Sequence, residues 1–315
     1  MKSLKIVFFG TPEFAKTALQ AIHQSHHEVV GVVTVADKAS GRGQKVNQSA
    51  VKQYAAENNL ATFQPEKLRD PEFLENMRQL EADVFVVVAF RMMPKVLFEI
   101  PVLGTFNLHA SLLPDYRGAA PINYAIINGE SKTGATTFFI NEKIDEGNIL
   151  LQNELTISET EDAGQLHDRL METGAQLIVE TLNGLADNTI EEKPQPEVAE
   201  PKNAFKIFKE DTRIDWNQEV NKIYNFVRGM SPYPAAFTSL KIGEDVKTLK
   251  IFKGKAENTT HNQRAGNLEI DKQNFKIFTK DGIYFPEEVQ LEGKKRMTVK
   301  DFLNGFQQFD GISIG

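Results

Sequence analysis

The sequence predicts an α/β chain: a mostly parallel sheet covered by helices, followed by a small antiparallel β-barrel. Three observations carry this. The apolar runs KIVFFG (5–10) and DVFVVVAF (83–90) have no polar interruption, and EVVGVVTV (28–35) is nearly as apolar. Such runs read as strands buried on both faces. They alternate with segments of helical periodicity, as in a sheet built from strand–helix–strand units. After residue 204 the alternation gives way to short strands separated by Gly, Asp and Lys turns, the pattern of a small barrel.

In order along the chain, KIVFFG ends in Gly10, and Pro12 stands near the start of a helix with Phe14, Ala18, Leu19 and Ile22 on one face. EVVGVVTV is the second strand. ADKASGRGQKVN (36–47) is a polar, glycine-rich loop, long enough to suggest a task beyond connection. SAVKQYAAENN reads as a helix, DVFVVVAF as a central strand, and GTFNLHAS (104–111) as its neighbour. A helix over PINYAIIN (121–128) follows, then two strands, TGATTFFIN (133–141) and ILLQNELTI (149–157), joined by the turn EKIDEGN. Residues 161–185 form a long amphipathic helix. NTIEEKPQPEVAEPKNA (188–204) is rich in proline and glutamate without periodicity and reads as a linker. The expected domains are therefore 1–187, a linker at 188–204, and 205–315.

Composition narrows the function classes. With 41% apolar and 25% charged residues the 315-residue chain is ordinary soluble globular material. No apolar run is long enough to span a bilayer, and MKSLKIVFFG enters a strand directly rather than a signal peptide. A cytoplasmic protein without membrane contact is expected. The absence of cysteine excludes disulfides, thiolate nucleophiles and cysteine zinc sites. The net charge of −7 is unevenly spread: residues 1–204 carry 18 Lys and Arg against 28 Asp and Glu, and residues 205–315 carry 18 against 15. An acidic front and mildly basic back fit two modules, of which the back one could meet a polyanion. So small an excess is also ordinary surface chemistry.

The chemistry concentrates in FNLHASLLPDYRGAAPI (106–122). Asn107 and His109 stand two apart on a strand and so face the same side. They lie near the carboxyl end of a sheet strand, where open α/β sheets bind ligands. An amide and an imidazole there can hold a developing oxyanion on a carbonyl carbon. They can equally be a hydrogen-bonded pair closing a strand end. Asp145, in KIDEGN, is the carboxylate that could orient the imidazole, though D-E-G is also a common turn. Ser111 lies in SLLP rather than in G-x-S-x-G, so direct transfer to an amine is expected, without a covalent enzyme intermediate. FFGTPEF lacks both glycine-rich nucleotide fingerprints and reads as a sharp strand–helix turn lining the ligand crevice. No metal cluster is visible. His23, His26 and His27 end a surface helix and are expected to be solvated.

FNLHASLLPDYRGAAPI followed by TGATTFFINEKIDEGNIL resembles the formyltransferases that use 10-formyltetrahydrofolate. FFGTPEFA, DKASGRGQ, FQPEKLR, ADVFVVVAF, RIDW, FVRGMSPYPAAFT and MTVKDFLNG extend the resemblance to members acting on initiator methionyl-tRNA. The resemblance implies a Rossmann-like first domain and an OB-like barrel. It implies a catalytic trio of Asn107, His109 and Asp145, a folate site formed in part by Ser111, Leu112, Leu113 and Pro114, and no metal. It implies that Arg42, in Gly41-Arg42-Gly43, enters the acceptor end of the tRNA with Lys45 as companion. Lys206, Lys209, Lys250 and Lys253 are expected to guide the tRNA body, in a protein acting as a monomer. One departure from the family pattern is Phe90-Arg91-Met92-Met93-Pro94, which is a residue shorter than expected at the rim of the pterin pocket. The competing readings are a formyl-folate hydrolase, a formyltransferase for a small amine such as an amino sugar, and a non-catalytic RNA-binding protein.

Overall fold

The computed structural model describes residues 2–40, 45–305 and 309–314, with the backbone alone for 38–40 and 45–47. The chain divides into two compact units.

The first unit comprises residues 1–118, 133–156 and 168–203. Its seven-stranded sheet runs in the order Ile149–Thr156, Lys132–Phe139, Thr105–His109, Val84–Val88, Lys5–Gly10, Glu28–Val33, Thr62–Phe63. Lys5–Gly10 pairs in parallel with both Glu28–Val33 and Val84–Val88, and Val84–Val88 with Thr105–His109. The next strand, Lys132–Phe139, is antiparallel to Thr105–His109. The two central runs are apolar because both faces are covered: Ile6 to Phe9 and Val84 to Val88 are buried. Helix Glu13–His23 covers one face with Phe14, Ala15, Ala18, Leu19 and Ile22, where each large side chain contributes roughly 1.5–3 kcal/mol of burial. Ser49 and Asp70 cap the next two helices, accepting from Lys52 N and from Glu72 N and Phe73 N. Gly10 makes the sharp exit from the first strand possible. A Cβ there would lie 2.6 Å from the Ala15 Cβ and 2.7 Å from the Phe8 ring.

The second unit comprises residues 119–132, 157–167 and 204–315. Its sheet runs Leu268–Ile270, Phe275–Phe278, Gly282–Leu291, Asp245–Asn258, Ala236–Ile242, Ile312–Ile314, with every described pairing antiparallel. The two outermost strands approach each other, giving the nearly closed antiparallel barrel expected from the short strands. Helix Val220–Met230 lays Val220, Ile223 and Val227 into the core beside Leu249, Ile251, Tyr284 and Val289. Trp216 also lies in that core, its indole N–H donating to Thr238 Oγ1 at 3.1 Å. Residues 157–167 join this unit through buried Arg228, which donates to the carbonyls of Glu161 at 2.8 Å and Ser158 at 3.3 Å.

One expectation fails in the first unit. His27 is buried, not solvated. Its Nδ1 accepts from Leu4 N at 3.2 Å and its Nε2 meets Asn183 Oδ1 at 3.1 Å. The long helix reaches back to close over the first strand's start, a tertiary contact that local sequence does not announce.

Candidate active site

Asn107 and His109 sit in strand Thr105–His109, where the residues between and beside them, Phe106 and Leu108, are buried apolar anchors. That alternation puts Asn107 and His109 on one side of the sheet. The parallel neighbours end at Gly10 and Val88, so the loops after all three strands leave from the same edge.

His109 is 7% exposed. Its Nε2 lies 2.8 Å from the Tyr116 carbonyl. A carbonyl only accepts, so Nε2 carries hydrogen and Nδ1 is the nitrogen left to exchange a proton. Asp145 Oδ2 stands 3.8 Å from Nδ1, and the Asp145 side chain is 15% exposed. This is ion-pair distance, too short for an intervening water and longer than a hydrogen bond. The same Oδ2 accepts from Gly118 N at 2.9 Å, which fixes the carboxylate's direction.

The path that brings Asp145 there is not the shortest one. Phe139 pairs with Phe106, three residues before His109. The turn must therefore double back by roughly 10 Å along the strand. Asp145 adopts φ 54° to do so. Ala89 (φ 46°) and Tyr116 (φ 61°), in the loops leaving strands Val84–Val88 and Thr105–His109, are also left-handed. Non-glycine residues rarely take that region, and they gather at functional sites. Gly147 closes the turn against the strand end, where a Cβ would lie 1.6 Å from the Phe139 carbonyl oxygen.

The Ser111–Pro114 loop is locked from below. Thr136 Oγ1 donates to the Ser111 carbonyl at 2.7 Å and accepts from Leu113 N at 3.2 Å. Gln152 Nε2 bonds Thr136 Oγ1 and the Leu113 carbonyl. Ser111 is fully buried and its hydroxyl donates to the Asp115 carbonyl at 2.6 Å. It is spent inside the loop and cannot act as a nucleophile. Leu113 is buried, while Leu112 and Pro114 are half-buried. In the departing segment, Arg91 folds back to the carbonyls of Pro65 and Glu66. Met93 is buried and Met92 exposed. Among the described residues no group of three His, Cys, Asp or Glu is placed to hold a metal, and no helix is long and apolar enough to cross a membrane.

Of the residues expected to meet tRNA, Arg42 lies outside the described residues, as does the side chain of Lys45. The described backbone on either side, Lys38–Ser40 and Lys45–Asn47, pairs antiparallel. Just before it, Asp37 pairs with Lys52 and accepts from Gln64, which hold its carboxyl below the usual range. Lys206 and Lys209 are exposed, with Lys206 Nζ 5.2 Å from the centre of the Phe208 ring. Lys250 is half-buried and donates to the Pro234 carbonyl at 3.5 Å. Lys253 and Lys255 share Glu287, at 3.7 and 2.9 Å. The strand is irregular on both sides of Lys253. Sequence reasoning missed the Tyr116 carbonyl and Gly118 N–H. Both are backbone groups, which no residue type signals.

The family model described as formyl transferase matches residues 4–182, and the one described as formyl transferase, C-terminal domain, matches residues 206–307. A Flavobacterium johnsoniae protein named methionyl-tRNA formyltransferase is 50% identical over 314 residues, covering 100% of both chains. One of the same name from Parabacteroides distasonis is 49% identical, covering 100% of this chain and 99% of its own. A crystal structure of a sugar 3N-formyl transferase shares the fold, with a TM-score of 0.66 at 21% identity over 94% of this chain and 100% of its own. A strand-end Asn–His pair facing a carboxylate, on a chain matched from end to end, is thus found in a member of the methionyl-tRNA formyltransferase family.

Proposed function

We propose that the chain transfers the formyl group of 10-formyltetrahydrofolate to the amino group of methionine on initiator tRNA, acting in the cytoplasm as a monomer. One observation carries the mechanism: His109 is fixed by the Tyr116 carbonyl at Nε2 while its Nδ1 faces the Asp145 carboxylate. The bound folate supplies the formyl carbon that accepts the amine. Asn107 and His109 share the strand face that this carbon would meet. The Asn107 amide donates to the formyl oxygen as negative charge develops there. As the amine nitrogen bonds the formyl carbon, the Nδ1 of His109 takes the proton the amine loses. Holding it, the ring is a second donor to the formyl oxygen. It passes the proton to the N10 of the folate as the bond between that nitrogen and the formyl carbon breaks and tetrahydrofolate leaves. Asp145, fixed by Gly118 N–H, stabilises the positive charge that the ring then carries. Ser111 and Leu113 shape the neighbouring loop from inside, and Leu112 and Pro114 offer an apolar wall to the folate. The chain has no cysteine, and with Ser111 occupied the amine attacks directly. Arg42 and Lys45 meet the acceptor end, and Lys206, Lys209, Lys250 and Lys253 meet the tRNA body.

The test is a choice of acceptor. Purified protein with labelled 10-formyltetrahydrofolate is given charged initiator tRNA, an amino sugar nucleotide, or water alone. Label should pass to the methionyl amine. Release of formate at the same rate without tRNA would make the chain a hydrolase and overturn the reading.

A further inference from the structure

The proline-rich segment 188–204 has the composition of a free linker, yet it crosses the first unit as a strap. Ile149 and Lys193 exchange both backbone hydrogen bonds, at 2.7 and 2.8 Å. Asn148 Nδ2 donates to Glu192 Oε2 at 2.9 Å. Two residues further on stands Gln195, between Pro194 and Pro196, which restrict the backbone around it. Its Nε2 donates to the carbonyls of Asp145 at 2.8 Å and Gly147 at 2.9 Å. Its Oε1 accepts from Arg117 Nε at 3.1 Å and Nη2 at 2.6 Å. An arginine only donates and a carbonyl only accepts, so the amide's orientation is fixed, and all four of its hydrogen-bonding positions are used.

The strap then returns to the other half of the pair. Its Lys202 carbonyl accepts from Tyr116 N at 2.6 Å, and Tyr116 is the residue whose carbonyl holds His109. The turn that Gln195 grips is the one that doubles back with Asp145 in a left-handed conformation. Asp145 has its side chain tied to Gly118 and its main chain to Gln195.

We propose that Gln195 is a positioning residue for formyl transfer: through the carbonyls of the 145–147 turn it fixes the Asp145 carboxylate opposite His109, and Arg117 fixes Gln195 in turn. Gln195 touches no reacting atom. The proposal rests on the reading of Asp145 as part of the catalytic trio.

The experiment uses the full chain with charged initiator tRNA and 10-formyltetrahydrofolate. Gln195→Met keeps the side chain's length and removes all four bonds. It should lower kcat about 10- to 100-fold, as small misplacements of catalytic groups do. KM for both substrates should stay within about threefold, because uniform binding is untouched. In an Asp145→Asn background the same change should cost less than about twofold, since the group being positioned is already disabled. Gln195→Glu keeps the Arg117 contact and puts oxygen where the turn needs a donor. It should be as slow as Gln195→Met, and it serves as the test if that variant does not fold. Parental kcat in either Gln195 variant, with Asp145→Asn crippled, overturns the proposal and leaves the role of Asp145 standing. An undiminished Gln195→Met penalty in the Asp145→Asn background also overturns it. Parental kcat in Asp145→Asn would sink the underlying reading instead.

Discussion

His109 is held at one nitrogen and faces a carboxylate with the other. The Tyr116 carbonyl anchors Nε2 at 2.8 Å, and Asp145 faces Nδ1 at 3.8 Å. In the proposed mechanism, truncation removes both a donor to the developing oxyanion and the group that exchanges the proton. His109→Ala should lower kcat by about a hundred- to a thousandfold, the usual loss for one such donor, while folate binding measured by fluorescence or calorimetry persists. Near-normal turnover would remove His109 from the mechanism. His27 shows the opposite use of the same side chain. Its buried Nδ1 accepts from Leu4 N and its Nε2 faces Asn183, an arrangement that needs the neutral ring. Burial first, and then the neighbouring His26, push its pKa down. The unfolded chain protonates this residue near its ordinary value of about 6.5, the folded chain only below that. Its contribution to stability is therefore complete above that pH and is lost as pH falls through the depressed folded value. The difference in Tm between the parent and His27→Gln should be constant above about pH 7 and shrink in acid. A difference that does not change with pH would show that the ring is not held neutral.

At the scale of elements, the site depends on one turn following an improbable course. Gly147 lies so close to the Phe139 carbonyl that any Cβ forces the turn to move. Gly147→Ala should lower kcat at least about tenfold, because an ångström of displacement at Asp145 is enough. It should also lower Tm, and parental kcat would mean that the turn's path is irrelevant to catalysis. The parallel strands buried on both faces and the shared face of Asn107 and His109 are legible in the sequence. Unbroken apolar runs and i, i+2 spacing are direct consequences of a two-sided sheet. Asp145 was legible as a candidate, but its route was not. The antiparallel pairing of Lys132–Phe139 and the doubling back of the turn depend on long-range register. The strap at 188–204 was hidden for a different reason. Its bonds come from the side chains of Gln195 and Glu192 and from backbone groups, while its run of prolines and glutamates has the composition of an untethered chain. His27 was misread because its partners lie at Leu4 and Asn183, far away in sequence.

At the scale of the whole molecule, charge is divided between the two halves of the sequence. The acidic first 204 residues carry Asn107, His109 and Asp145, and the last 111 carry a small basic excess. The structure reduces that excess at the places where it looked densest. Lys253 and Lys255 face the shared carboxylate of Glu287, Lys247 lies 3.9 Å from Asp245, and Lys250 is half-buried. Lys206 and Lys209 are exposed on the segment that follows the strap, and Phe205 and Phe208 beside them are exposed aromatics. Exposed aromatic rings interleaved with lysines suit a nucleic-acid surface, because rings stack on bases while ammonium groups meet phosphates. Each phosphate contact contributes about −0.9 to the slope of log affinity against log salt on duplex DNA, and helical RNA should follow the same rule in kind. Neutralising Lys206, Lys209, Lys250 and Lys253 together should therefore flatten the tRNA salt slope by about two units rather than the full four contacts' worth, because Lys253 is already shared with Glu287 and Lys250 is half-buried against the Pro234 carbonyl. Tm should change little at Lys206, Lys209 and Lys253, since exposed substitutions usually move stability by less than about half a kcal/mol each. Turnover at saturating tRNA should stay within about twofold, because none of the four belongs to the unit that holds Asn107, His109 and Asp145. The measurement is tRNA affinity at several salt concentrations, beside kcat at saturation. A quadruple variant with the parent's affinity and salt slope would remove these lysines from recognition.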